Sequence, residues 1–189
     1  MEYELLNQAV SISNINGTIE LIAPEKTDFF IDMCGDYKQL NAPFYYTFVE
    51  NDFIFRCSIK PIFKNIYDAG FLLAYESENK WIKFAFEKTD LGYSSVVSVL
   101  TNGYSDDCNG ERIKNKIIFL QIVRKVNDWC LHYSDDKTNW KMVRYFRFEL
   151  KNKIKIGFSS QSPLGNGCKV IFDDIEILKN NYNNIRKAL

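Results

Sequence analysis

A chain of 189 residues suits one domain and is long enough to bury a sizeable core. Its 24 basic and 24 acidic residues cancel, which argues against a general polyanion binder: phosphate-driven affinity needs excess basic charge on one face, so nucleic acid is not an expected partner. Aromatic residues reach 15%, with 15 Phe and 11 Tyr, a composition that favours strands over helices.

In chain order, residues 17–24 read as a short strand after the Asn14-Ile15-Asn16-Gly17 turn, ended by Pro24. Residues 26–38 form a polar-flanked aromatic segment that Phe29 and Phe30 anchor to the core. Residues 45–49 and 53–60 alternate around an Asn51-Asp52 turn and predict a hairpin. Three strands follow, at 70–75, 80–88 and 94–101, with Asn102-Gly103 closing the last and a loop starting at Tyr104. Further strands are predicted at 117–125, 129–134, 141–148, 153–160 and 169–178, and a Ser/Pro/Gly/Asn loop spans 161–167. The tail, 179–189, is asparagine-rich, with a short helix read over 182–188. No helical period runs for ten residues, so the pattern predicts an all-β antiparallel sandwich, residues 1–178, followed by a polar tail.

The cleanest alternation is in 80–88. Ile82, Phe84 and Phe86 fall on one face; Trp81, Lys83, Ala85 and Glu87 fall on the other. The first set marks a buried face. The second presents an indole, a cation and a carboxylate together, which suits stacking on a sugar and hydrogen bonding to its hydroxyls. A solvated sheet face with a cross-strand ion pair is the plainer reading.

The N-terminus has no basic region followed by an apolar core, so no signal peptide is read, and no apolar run reaches the roughly 18 to 20 residues of a membrane span. The five cysteines are odd in number and widely spaced, without a CxxC. They read as reduced thiols of a cytoplasmic protein. With His132 the only histidine, no metal site and no cofactor are expected. Neither a GxSxG, a P-loop nor a GxGxxG occurs.

Several stretches together resemble a known pattern: GFLLAYESENKWIKFAFE, SSVVSVLTNGYSD, LQIVRKVNDWCLHYSDDKTNWKMVR, KIGFSSQSP and VIFDDIEI. The matching residues are Gly70, Asn79, Trp81, Lys83, Glu87, Ser105, Asp106, Arg124, Tyr133, Ser134, Trp140, Arg144 and Phe172-Asp173-Asp174. The chain resembles, over roughly residues 25–178, the regulation-of-enolase-like family of unknown function in the concanavalin A-like lectin/glucanase superfamily. The resemblance implies a jelly-roll β-sandwich with a ligand-binding concave sheet face. It departs where the family's Ser-Asp-Trp becomes Ser105-Asp106-Asp107, and where Thr138-Asn139 replaces the turn glycine before Trp140.

The candidate binding residues are therefore Trp81, Lys83 and Glu87, with Tyr67, Asp68, Ser105, Asp106, Arg124, Tyr133 and Arg144 as rim or neighbouring contacts. Arg124 reads either as a ligand clamp or as a strand-end residue paired with an acid such as Asp106 or Glu87. Asp173-Asp174-Ile175-Glu176 resembles a glucanase carboxylate cluster, but Phe172 stands where the motif needs Glu, so no catalytic residue is assigned. The expected function is carbohydrate or similar polar-ligand binding. The alternatives are a protein-interaction module modulating a metabolic enzyme and, third, a glycoside hydrolase.

Overall fold

The computed structural model describes residues 2–189, which form strands joined by turns and loops. The strands are β1 (Glu4–Leu6), β2 (Ser11–Ile15), β3 (Thr18–Ala23), β4 (Phe29–Ile31), β5 (Lys38–Leu40), β6 (Phe44–Val49), β7 (Phe53–Ile62) and β8 (Ala69–Ser77). After them come β9 (Lys80–Lys88), β10 (Ser94–Asn102), β11 (Tyr104–Ile113), β12 (Ile118–Lys125), β13 (Asp128–Ser134), β14 (Lys141–Arg147), β15 (Ile154–Gln161) and β16 (Cys168–Lys179). One seven-stranded sheet runs β1-β6-β15-β8-β9-β10-β11 and a second runs β14-β13-β12-β7-β16-β3-β2. The β4–β5 hairpin is separate. Neighbouring strands pair antiparallel throughout. The result is an all-β jelly-roll sandwich of the concanavalin A-like type. Among the described residues, no helix is long and apolar enough to cross a membrane.

Period-two alternation fills the space between the sheets. Ile82, Phe84 and Phe86 of β9 meet Phe55, Leu120, Ile122 and Phe172 of the other sheet, all sealed from solvent. Phe158 of β15 sits in the middle, its ring centroid 5.0 Å from Phe172 and 5.3 Å from Phe55. Such close packing makes the two sheets one cooperative body.

Each sheet's outer face is also covered. On the first sheet, Phe44, Phe71, Tyr75 and Trp81 receive Phe29 of β4 edge-on, with ring centroids between 5.9 and 6.5 Å. On the second sheet, Ile54, Val123 and Cys130 are covered by Ile185 and Tyr182 of the tail, which folds as turns rather than as the short helix read over 182–188.

Residues 104–107, read as the start of a loop, open the edge strand β11, which pairs with β10. Its polar sequence hid it, because an edge strand needs little apolar surface and is protected from aberrant pairing by charge.

Candidate functional site

The β4–β5 hairpin does not cover the first sheet completely. Over β9, β10 and β11 it leaves a cavity of about 300 Å³, at the small end of ligand pockets. Register explains its walls. Val99 pairs with Lys83 on one side and Asp107 on the other, so these three cross the floor in a row. Val97 lies beside them, and Glu87 stands further along β9 on the same face as Lys83. Phe30, Tyr37 and Asp28 overhang from the hairpin side. Gln161 at the end of β15, with Tyr67, Pro163 and Leu164 from the loops flanking β8 and β15, closes the end.

Lys83 is 2% exposed. Its ammonium donates to Gln161 Oε1 at 2.7 Å, the Phe29 carbonyl at 3.3 Å and Asp28 Oδ1 at 3.5 Å, and lies over the Phe71 ring. Asp28 in turn accepts the Phe29 amide and the Tyr37 hydroxyl. Gln161 Nε2 donates to the Tyr67 carbonyl. Lys83 thus ties the covering segment to the sheet, and its hydrogen-bonding capacity is already used.

Glu87 is different. It is 8% exposed and lines the cavity, yet among the described residues no protein group donates a hydrogen bond to its carboxyl. Burial pushes it up to about 8, against the pull of Lys83, with Asp107, Asp28 and Asp90 adding to the rise. Asp107, at the open side of the cavity, is also raised by burial against Lys83 and the Cys108 amide. Tyr67 holds a left-handed backbone, φ 66°, rare for a bulky residue, fixed by its amide donating to the Lys88 carbonyl.

The other sequence-derived candidates divide cleanly. Trp81, expected to offer an exposed indole for stacking, is 0% exposed: Phe29 covers it, and its Nε1 donates to the Glu78 carbonyl. Alternation correctly set its face but carried no information about what lies on that face. Asp68 accepts the Lys64 and Asn65 amides and the Ser162 hydroxyl, tying together the two loops of the end wall. Ser105 accepts the Ile31 amide and hydrogen-bonds Thr101, anchoring the hairpin. These three support the cavity without lining it.

Arg124, Tyr133 and Arg144 belong to the second sheet and do not join the site. Arg124 ends β12 by donating to the carbonyls of Val126, Leu150 and Asn152, so neither the clamp nor the acid pairing forms. The Tyr133 hydroxyl donates to Glu111 and accepts Lys141 Nζ. Arg144 pairs with Asp106 at 2.9 Å, an ion pair that joins the sheets at their rim. Asp28, Tyr37, Asp107 and Gln161 were not singled out by the sequence. The one available signal was Asp107, where the pattern departs from the family's tryptophan.

The chain is a two-sheet sandwich with a small cavity on one outer face. The chain belongs to the family described as Protein of unknown function (DUF1349), which matches residues 5–180. That description names no activity and no enolase, so the enolase attribution does not follow from membership. A functionally unknown protein from Saccharomyces cerevisiae superposes with a TM-score of 0.90 at 23% identity, over 95% of this chain and 97% of that one. The carbohydrate-binding module CBM66 from Bacillus subtilis superposes with 0.61 at 11% identity, over 94% and 95%. A mutant of the GH43 protein BlXynB from Bacillus licheniformis gives 0.73 at 13% identity over 94% of this chain, which spans only 37% of that one. These likenesses establish fold. No curated protein matches the chain.

Proposed function

We propose that the chain is a binding module for a carbohydrate or similarly polar small ligand, seated in the cavity over β9, β10 and β11. The observation that carries this reading is the unpartnered, buried Glu87 beside an apolar floor of Val97 and Val99. A sugar ring has both surfaces such a site needs: an apolar C–H face for the valines and hydroxyl edges for the carboxyls. The likeness to a carbohydrate-binding module supports the reading at the level of fold. Binding is the activity this supports.

Titration of the isotope-labelled protein with a panel of monosaccharides, followed by NMR, tests it. Shifts should concentrate at Val97, Val99 and Leu164 and vanish in Val99→Phe, which fills the floor. No cavity shifts with any sugar, or undiminished binding in a folded Val99→Phe variant, would refute the reading.

A further inference from the structure

We propose that the ligand presents an ammonium group to Glu87 and Asp107, so that the cavity selects amino sugars over neutral ones. This rests on the polar-ligand reading above and narrows its substrate class.

Most polar groups on the cavity wall already have partners. The Lys83 ammonium has three donors, and its contacts are with Gln161, Phe29 and Asp28. Asp28 also accepts Phe29 N–H and the Tyr37 hydroxyl, and Gln161 is used at both ends of its amide. The cavity therefore has little left to offer a ligand's acceptors. What it offers is the Glu87 carboxyl, more than nine-tenths buried and without a protein partner, and the Asp107 carboxylate across the floor. Glu87 offers one O–H while protonated, but together with Asp107 it leaves more acceptor lone pairs than donors unmet on the wall, which calls for donors on the ligand.

Charge then distinguishes an ammonium from a hydroxyl. Asp28, Glu87 and Asp107 line the cavity against the single cation Lys83. Lys83 lies in direct contact with Asp28. Glu87 is faced by Lys83 on its own strand, by Asp107 across the floor, by Asp28 from the covering segment, and by Asp90 beyond Tyr67. Acids outnumber bases around it. A hydroxyl leaves that imbalance in place; an ammonium relieves it and supplies several charge-assisted donors. No cluster of three or more His, Cys, Asp or Glu among the described residues is arranged to hold a metal ion, so an organic cation fits better than a metal.

The protonation balance gives an independent readout. Burial holds Glu87 at about 8, so at neutral pH it carries a proton. A bound ammonium displaces that proton to the buffer and keeps its own. A neutral sugar displaces none.

The probes are D-glucosamine, N-acetyl-D-glucosamine and D-glucose, titrated into the full chain at neutral pH by NMR, with calorimetry in two buffers of different ionisation enthalpy. Glucosamine should bind roughly tenfold more tightly than the other two, as a charge-assisted bond replaces a neutral one. Its binding should release a proton. The near-isosteric Glu87→Gln should stay folded and reduce the preference to about threefold or less. Equal or tighter binding of glucose or the N-acetyl sugar overturns the inference and leaves the polar-ligand reading intact. Glucosamine binding without proton release, or with unchanged preference in Glu87→Gln, also overturns it. Silence at the cavity with all three sugars overturns both.

Discussion

Glu87→Gln should remove a pH dependence of stability that the buried carboxyl imposes. In the folded chain Glu87 titrates at about 8, whereas an unfolded glutamate titrates at about 4.3. Between those values the folded state binds more protons than the unfolded one, so stability falls as pH rises. The contribution is fully present below about pH 4 and is lost as pH passes through about 8. At about 1.4 kcal/mol per unit, the shift sets a ceiling of about 5 kcal/mol. A glutamine of the same shape does not titrate. Urea unfolding of both proteins at intervals from about pH 5 to about pH 9 provides the measurement, with the difference between the curves as the quantity of interest. Taking the difference cancels the titrations common to both, leaving the coupling of Glu87 to Lys83, Asp107, Asp28 and Asp90 as the cross-terms. The two proteins should be similar at the acid end, and the variant should be more stable by several kcal/mol at the alkaline end. Parallel curves across that range would refute the assignment of Glu87 as a buried, unpartnered acid.

Phe29→Ala should cost about 3–5 kcal/mol by emptying the junction between hairpin and sheet, and hydrogen exchange at β4 and β5 should accelerate ahead of exchange in β9. Lys83→Met removes the buried cation and leaves Asp28 and Gln161 short of a donor; denaturant unfolding should show a loss of about 3 kcal/mol. His132, fully buried beside Cys130 under the tail carbonyl of Arg186, is pushed down by burial to about 4. The unfolded chain then binds the extra proton between about pH 6.5 and about pH 4, so stability should fall over that window by up to about 3 kcal/mol as pH drops, a loss that His132→Gln should abolish in denaturant titrations.

How much could be read from sequence depended on distance along the chain. The strand at 80–88 matches β9, because a half-buried strand writes its period into consecutive residues. The turn at Asn51-Asp52 is equally local, but the hairpin expected around it does not form: β6 pairs with β1 and β15 in the first sheet and β7 with β12 and β16 in the second, so the turn crosses between the sheets. The cover of the first sheet was not legible. Phe29 meets Trp81 across 52 positions, and Lys83 reaches Asp28 across 55 and Gln161 across 78. Nothing in a period of two distinguishes an outer face bathed in water from one roofed by a hairpin. Hence Trp81 looked like a stacking platform and is instead part of a second core, while Lys83, which looked like a ligand contact, is spent on internal hydrogen bonds. Arg124 and Tyr133 could be placed on strands but not on a sheet, since strand order in a sandwich is set by long-range pairing.

Side-chain size decides where the cavity opens. Under Phe29 the first sheet carries Phe44, Phe71, Tyr75 and Trp81, large enough to meet the hairpin. Towards β10 and β11 the same face carries Ala85, Val97 and Val99, too short to reach it. The strand that borders this gap is β11, and the residue it turns inward there is Asp107. That is the position at which the resemblance calls for tryptophan. An indole paired with Val99 would project across the valine floor and occupy much of a 300 Å³ space. A carboxylate leaves the space open and adds a second acid to the one at Glu87. The departure from the family pattern therefore changes both the volume and the charge of the cavity, in the direction that a small cationic ligand requires.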